Sequence, residues 1–173
     1  QTYGYDAAGH QTSRNATQFH HDPRGRLTGL TGAATASYLV NGRGERVQKT
    51  TPAGVTRFLY DPQGRLLGEY DGALNPLQEY VYLDDLLVGI LRTQNGVHTP
   101  YPVYADHLGT PRAVADPIRP VDVWRWSLTG SAFGEHLPQS DPDGDGQDFT
   151  LNWFSRIGVE HAREAAEAFE QAL

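Results

Sequence analysis

Short apolar runs separated by polar corners extend through the first 152 residues. In "QEYVYL", Tyr80 and Tyr82 fall on one face of an extended segment and Val81 on the other, because successive strand side chains alternate. A corner at Asp84–Asp85 follows. "LLVGILR" runs to a second corner at "TQNG", and "VHTPYPVYA" continues the series, its two prolines marking an edge strand or a bulge. "VDVWRW" sets Trp124 and Trp126 on one face with Arg125 opposite. No stretch before Asn152 carries a helical period. Beyond it, Val159, Ala162, Ala166, Phe169 and Leu173 form one apolar stripe, which predicts a short C-terminal α-helix packed on the sheet. Gly158 falls just outside that helix.

The corners repeat. Gly9 in "YDAAGH", Gly25 in "HDPRGR", Gly44 in "VNGRGER" and Gly64 in "YDPQGR" are 16, 19 and 20 residues apart. A period near twenty signals one supersecondary unit built several times. In "YDPQGR", Asp61 accepts a hydrogen bond from a backbone N–H two residues on, Pro62 presets φ, and Gly64 supplies the left-handed conformation. A type I turn followed by such a glycine is the three-residue hairpin loop with a bulge. Tyr60 and Arg65 then flank the turn, near enough for ring and guanidinium to stack. The third copy reads as irregular, with a residue inserted between Gly44 and Arg46. A lone hairpin is marginal in water, so the copies must pair into a continuing antiparallel sheet.

Composition narrows what such a sheet does. The 173 residues suit one ordinary domain, and 38% apolar content allows an economical core. Nineteen glycines and eleven prolines fit many tight turns. A net charge of −7 argues against a binder of nucleic acid or of anionic membrane, which needs a basic face. Without cysteine there is no disulfide, thiolate nucleophile or cysteine-held zinc. No membrane-spanning run or signal peptide is present, and the opening Gln1 leads us to expect an excised or incomplete segment.

Candidate chemistry is sparse. In "DPDGDGQDFTLN", Asp141, Asp143 and Asp145 with Gly146 follow the start of a calcium loop. Against calcium, Asp148 stands at the usually apolar position and Asn152 replaces the closing glutamate. A solvated acidic turn is the expectation, with calcium the alternative and no other cofactor. The seven histidines form no HExxH pair, and His20 and His21 point to opposite faces of any strand. Asp106–His107 with Thr110 lacks an oxyanion site, so Asp106 is expected to cap a loop, Gly109 to permit the bend, and Arg112 to reach back to a carboxylate or ring. Asp84–Asp85 reads as a turn, not a glycosidase pair. Trp124 and Trp126 read as core, with a stacking platform for carbohydrate or a partner as the alternative.

The "YD…G.R" copies and the segment "YADHLGTPRAV", followed by "VWRW", "AFGE" and "DPDGDGQDFTLN", resemble the RHS/YD-repeat family. Bacterial Rhs toxins, shell components of insecticidal toxin complexes and animal teneurins belong to it. The resemblance covers residues 3–152 and implies a curved all-β shell of hairpin repeats that, in bacterial members, encloses a C-terminal toxin. It implies neighbouring RHS repeats and a toxin cargo as partners, and a secreted or cell-surface setting within a larger protein. The family's "DP.GL.GG" self-cleavage boundary has no counterpart here. From Trp153 the chain reads "WFSRIGVEHAREAAEAFEQAL", which divides it into a repeat segment, 1–152, and a divergent tail, 153–173. A fragment, a decayed copy or a frame change near Trp153 is the expectation. The expected function is structural, without catalysis. Binding of surface carbohydrate or a receptor comes second, and a self-cleaving peptidase last.

Overall fold

The computed structural model describes residues 2–127 and 138–151. The expected helix at 153–173 and the "AFGE" segment lie outside them. The described chain folds into thirteen strands: β1 (Tyr3–Tyr5), β2 (Gln11–Arg14), β3 (Thr17–His21), β4 (Leu27–Gly32), β5 (Ala36–Val40), β6 (Arg46–Thr51), β7 (Gly54–Tyr60), β8 (Leu66–Asp71), β9 (Pro76–Leu83), β10 (Leu86–Gln94), β11 (Val97–Ala105), β12 (Pro111–Ala115) and β13 (Asp122–Arg125). They form one antiparallel sheet in which spatial order follows chain order from β1 to β13. Among the described residues there is no helix, and none long and apolar enough to cross a membrane.

Two compact units divide the described residues, one made of 2–59 with 69–75, the other of 60–68 with 76–127 and 138–151. In the first, alternation buries Thr17 and Phe19 of β3 while Gln18 and His20 face out. Register then aligns Phe19 with Leu30 and Leu30 with Ala36, so apolar side chains meet across three strands. Leu27, Ala34 and Tyr38 complete that core. Gly32 has φ 101°, and a Cβ there would fall 2.0 Å from the carbonyl oxygen of Ala16, so a side chain is excluded where the two backbones cross.

In the second unit Ile90 pairs with Tyr80 on β9 and Tyr101 on β11, and Leu87, Val103, Val114 and Trp124 are buried with it. The segment 138–151 returns to this sheet. Gln139 exchanges backbone hydrogen bonds of 3.1 and 2.8 Å with Arg125. Phe149, 1% exposed, sets its ring edge-on to Tyr101 at 5.0 Å, beneath the Arg92 guanidinium at 4.8 Å. Arg92 Nη2 donates to the Asp148 carbonyl and Gln78 Nε2 to that of Thr150, both at 3.2 Å.

The prolines of β11 are explained by register. Asn95 and Gly96, at φ 51° and 77°, make a two-residue turn with both central residues left-handed. The flanking pair Gln94 and Val97 is hydrogen-bonded in such a hairpin, so every second pair, including Leu91 with Pro100 and Gly89 with Pro102, is not. Both proline nitrogens therefore point away from β10. They also precede the stretch Val103–Ala105 that pairs with β12, whose register shifts at Tyr104/Ala105. The prolines themselves thus sit at regular, non-hydrogen-bonded positions and not in a bulge, and the strand is an edge only locally.

Candidate functional site

Among the described residues six corners share one geometry, starting at Asp6, Asp22, Asn41, Asp61, Asp71 and Asp106. In each, the starting residue's N–H donates to the carbonyl four residues on, and its own carbonyl accepts from the N–H three residues on, at 2.8–3.1 Å. In each, the starting side chain's Oδ1 accepts backbone N–H groups two and four residues on, at 2.8–3.0 Å. The fourth residue is left-handed every time: Gly9, Gly25, Gly44, Gly64, Leu74 and Gly109. The turn expected from "YDPQGR" is the one observed, and its aspartate takes one N–H more than the sequence reading assigned.

The second carboxylate oxygen faces the return side chain. Arg26 Nε donates to Asp22 Oδ2 at 2.8 Å, Arg65 Nε to Asp61 Oδ2 at 2.5 Å, and Asn75 Nδ2 to Asp71 Oδ2 at 2.8 Å. Arg112, two positions further on, reaches Asp106 Oδ2 at 2.8 Å while its guanidinium lies 5.1 Å from the Trp126 ring centroid. Arg112 thus reaches both a carboxylate and a ring. The third copy corrects the expected insertion: Asn41 and Gly44 keep the spacing, and Glu45 occupies the arginine's place. The polarity is reversed, with Asn41 Nδ2 donating to Glu45 Oε2 at 2.7 Å. Arg46, displaced onto β6, covers the ring of Tyr38 at 4.5 Å.

The arginines also tie one corner to the next. Arg26 Nη1 donates to the carbonyl of Asn41 at 3.2 Å. Arg65 Nη1 donates to the carbonyl of Asp84, lies 3.5 Å from Asp85 Oδ1, and its guanidinium covers Tyr82 at 5.3 Å. Tyr82 is a stacking partner that the sequence reading, which named Tyr60, did not identify. Burial pushes the Tyr82 hydroxyl up to about 12. Asp61 is pushed up by burial, but the N–H and guanidinium of Arg65 outweigh this and hold it below the ordinary value. Asp22 is lowered first by the Arg26 backbone N–H and then by its side chain.

The metal candidate is occupied by a protein cation. Asp141, Asp143 and Asp145 place carboxylate oxygens within 4.8 Å of one another, the one such grouping of potential metal ligands among the described residues. Arg119 Nη2 lies 2.8 Å from Asp143 Oδ2 and 3.4 Å from Asp145 Oδ2, while its Nε donates to Asp116 Oδ2 at 2.8 Å. The contact with the buried Asp143 Oδ2 is a charge pairing off the N–H direction, without a hydrogen bond. Both Asp141 oxygens accept loop N–H groups, from Asp145 at 3.0 Å and Gly146 at 3.1 Å. The backbone N–H groups of Arg119 and then Ile118 lower Asp116 to about 2.

The remaining candidates fall apart in space or serve the fold. Trp124 is 5% exposed, so its ring is no surface platform, and Trp126 is half-buried under Arg112. Asp84, at φ 53°, and Asp85 form an exposed turn. Asp106 accepts from the Leu108 and Thr110 N–H groups and from Arg112 Nε, the loop-capping arrangement expected of it. His20 bonds Thr31 Oγ1 at 2.8 Å on the outer face. The sequence reading missed the Asp71 corner, Arg119 and Phe149. Asp71 and Asn75 repeat the Asp-to-return spacing of the other copies, which was the available signal. The family-model scan finds no match to this chain, and no curated protein matches it.

Proposed function

We propose that the chain is a structural segment of an RHS-type shell, a wall that encloses or presents a toxin and performs no catalysis of its own. One observation carries this reading. A single corner geometry recurs six times and joins strands that pair strictly in chain order. A sheet built this way grows by adding hairpins, each corner requiring only an aspartate or asparagine, a left-handed residue and a return side chain. The carboxylates of these corners are spent on backbone N–H groups and on side chains returning from the turn, so they work as fasteners.

The test uses the chain with its natural flanking sequence, expressed whole. The reading predicts a hollow particle by electron microscopy, with the downstream segment resisting protease until the particle is denatured. A solid particle whose downstream segment is digested at once would discard it.

A further inference from the structure

The return position of the repeated corner holds a permanently charged arginine in two copies, Arg26 and Arg65, each against its own aspartate. In the first copy it holds His10, whose Nδ1 lies 3.0 Å from Asp6 Oδ2. Histidine changes charge between about pH 5 and 8, so a pairing that is permanent elsewhere is conditional here. The ring is also fixed on its other sides. It stacks on His21 of β3 with centroids 5.4 Å apart and planes 27° from parallel. Its Nε2 packs against Gly25 of the next corner, where a Cβ would stand 2.3 Å away. A cleft of about 440 Å³ between these two corners is lined by Asp6, His10, His20, His21 and Asp22.

The charged and titratable groups facing His10 are therefore Asp6 from its own corner, His21 from β3, and Asp22 from the following corner. Asp22 is already held by Arg26 through Nε at 2.8 Å and Nη2 at 2.7 Å. His20 turns away to Thr31. That leaves Asp6 as the carboxylate committed to His10. One proton on His10 strengthens that bond by giving it full charge on both sides. A second proton, on His21, would set like charges face to face.

We propose that His10 makes the first corner a proton-operated clasp, which grips Asp6 and steadies the β1–β2 hairpin when its ring carries a proton and relaxes when the ring is neutral. The sign follows from the charge: a charged ring opposite a carboxylate favours the paired state, so the added stability belongs to the more acid condition and is absent when the ring is neutral. The side chains of His10 and Asp6 are 30% and 39% exposed, so solvent screens the pair. The expected gain is about two- to fivefold in the closing equilibrium.

The test is amide exchange by NMR on the intact chain at pH 5.5 and 7.5, each rate corrected for intrinsic exchange. The reporters are the Asp6 amide, bonded to the His10 carbonyl at 2.9 Å, and the Gly9 amide, bonded to the Asp6 carbonyl at 3.1 Å. Protection two- to fivefold higher at pH 5.5 is expected. His10→Arg should show the high protection at both pH values, and His10→Gln the low one at both. Equal protection at the two pH values in the unaltered chain overturns the proposal. So does a pH response that survives in His10→Gln, or one shared equally by the Asp61 and Gly64 amides, whose corner carries Arg65.

Discussion

Arg65 grips Asp61 through Nε at 2.5 Å and, with the same guanidinium, bonds the carbonyl of Asp84 in the turn between β9 and β10. One side chain thus closes its own turn and fastens it to a neighbour. Asp61 is 8% exposed and satisfies two N–H groups as well as the arginine. Asp61→Ala would leave all three without their acceptor. A loss of about 2–3 kcal/mol in unfolding free energy by urea titration is expected. Asp61→Asn, which retains an Oδ1 acceptor for both N–H groups, should lose less. Equal losses for the two variants would show that the charge on Asp61, rather than its acceptor geometry, dominates.

The same corners set the acid limit of the fold. Asp6 is lowered first by the His10 side chain, Asp71 first by the Asn75 side chain, and Asp22 first by the Arg26 N–H. For Asp61 and Asp106, burial pushes up and the arginine and N–H groups more than offset it. A carboxylate lowered on folding adds stability that is fully present above its unfolded value of 3.8 and lost as pH falls through its folded value, which reaches about 2 for Asp116. Circular dichroism against pH should therefore show this contribution flat above pH 4 and falling steeply between about 4 and 2. A carboxylate-driven loss centred above pH 5 would contradict the assigned directions.

Leu74 occupies the left-handed position that glycine fills in the other five corners, at φ 68°. A branched side chain there costs roughly 1–2 kcal/mol, and glycine's extra freedom in the unfolded chain returns part of it. Leu74 is 62% exposed, so little packing is lost on its removal. Leu74→Gly should stabilise the protein by about 0.5–1 kcal/mol in urea titration. Destabilisation would mean that the leucine packs on something worth more than its backbone strain.

That corner also shows where the sequence was legible and where it was not. The turns with a glycine could be read directly, because Asp-x-x-Gly names both the side-chain acceptor and the left-handed residue. The corner at Asp71 escaped because Leu74 breaks the rule that makes the others visible. The third copy was misread for a similar reason: its spacing is intact, and only the return residue changed from arginine to glutamate. Tyr82, Arg119 and Phe149 were out of reach because their partners are distant in the chain or carry no motif. The antiparallel sheet followed from hairpins that cannot stand alone, whereas the exact strand count required the registers.

Phe149 is the largest fully buried side chain among the described residues, held against Tyr101 and Arg92 by a segment with no regular structure. Phe149→Ala should cost about 3–5 kcal/mol, because the sheet beneath it cannot collapse into the space left. Exchange should also rise at the Gln139 and Arg125 amides, which pair the same returning segment with β13. Loss of stability with those amides unchanged would show that the segment is anchored at Gln139 independently of its phenylalanine.

Arg119 stands where a metal ion would have to go. Asp116, Asp143 and Asp145 all pair with it, and the Asp143 side chain is only 5% exposed, so water screens that charge poorly. A divalent cation entering this loop must first displace a guanidinium already bonded to Asp116. The intact loop should therefore take calcium more weakly than the Arg119→Ala variant. In chelator the variant should be less stable by about 1–3 kcal/mol, because a buried carboxylate has lost its partner. Millimolar calcium should then recover part of the loss, as expected of a ligand that binds the folded form alone. Terbium luminescence and urea titration with and without calcium measure the two effects together. A variant as stable as the parent in chelator would show that the acidic loop is solvated and that Arg119 is not its counter-charge.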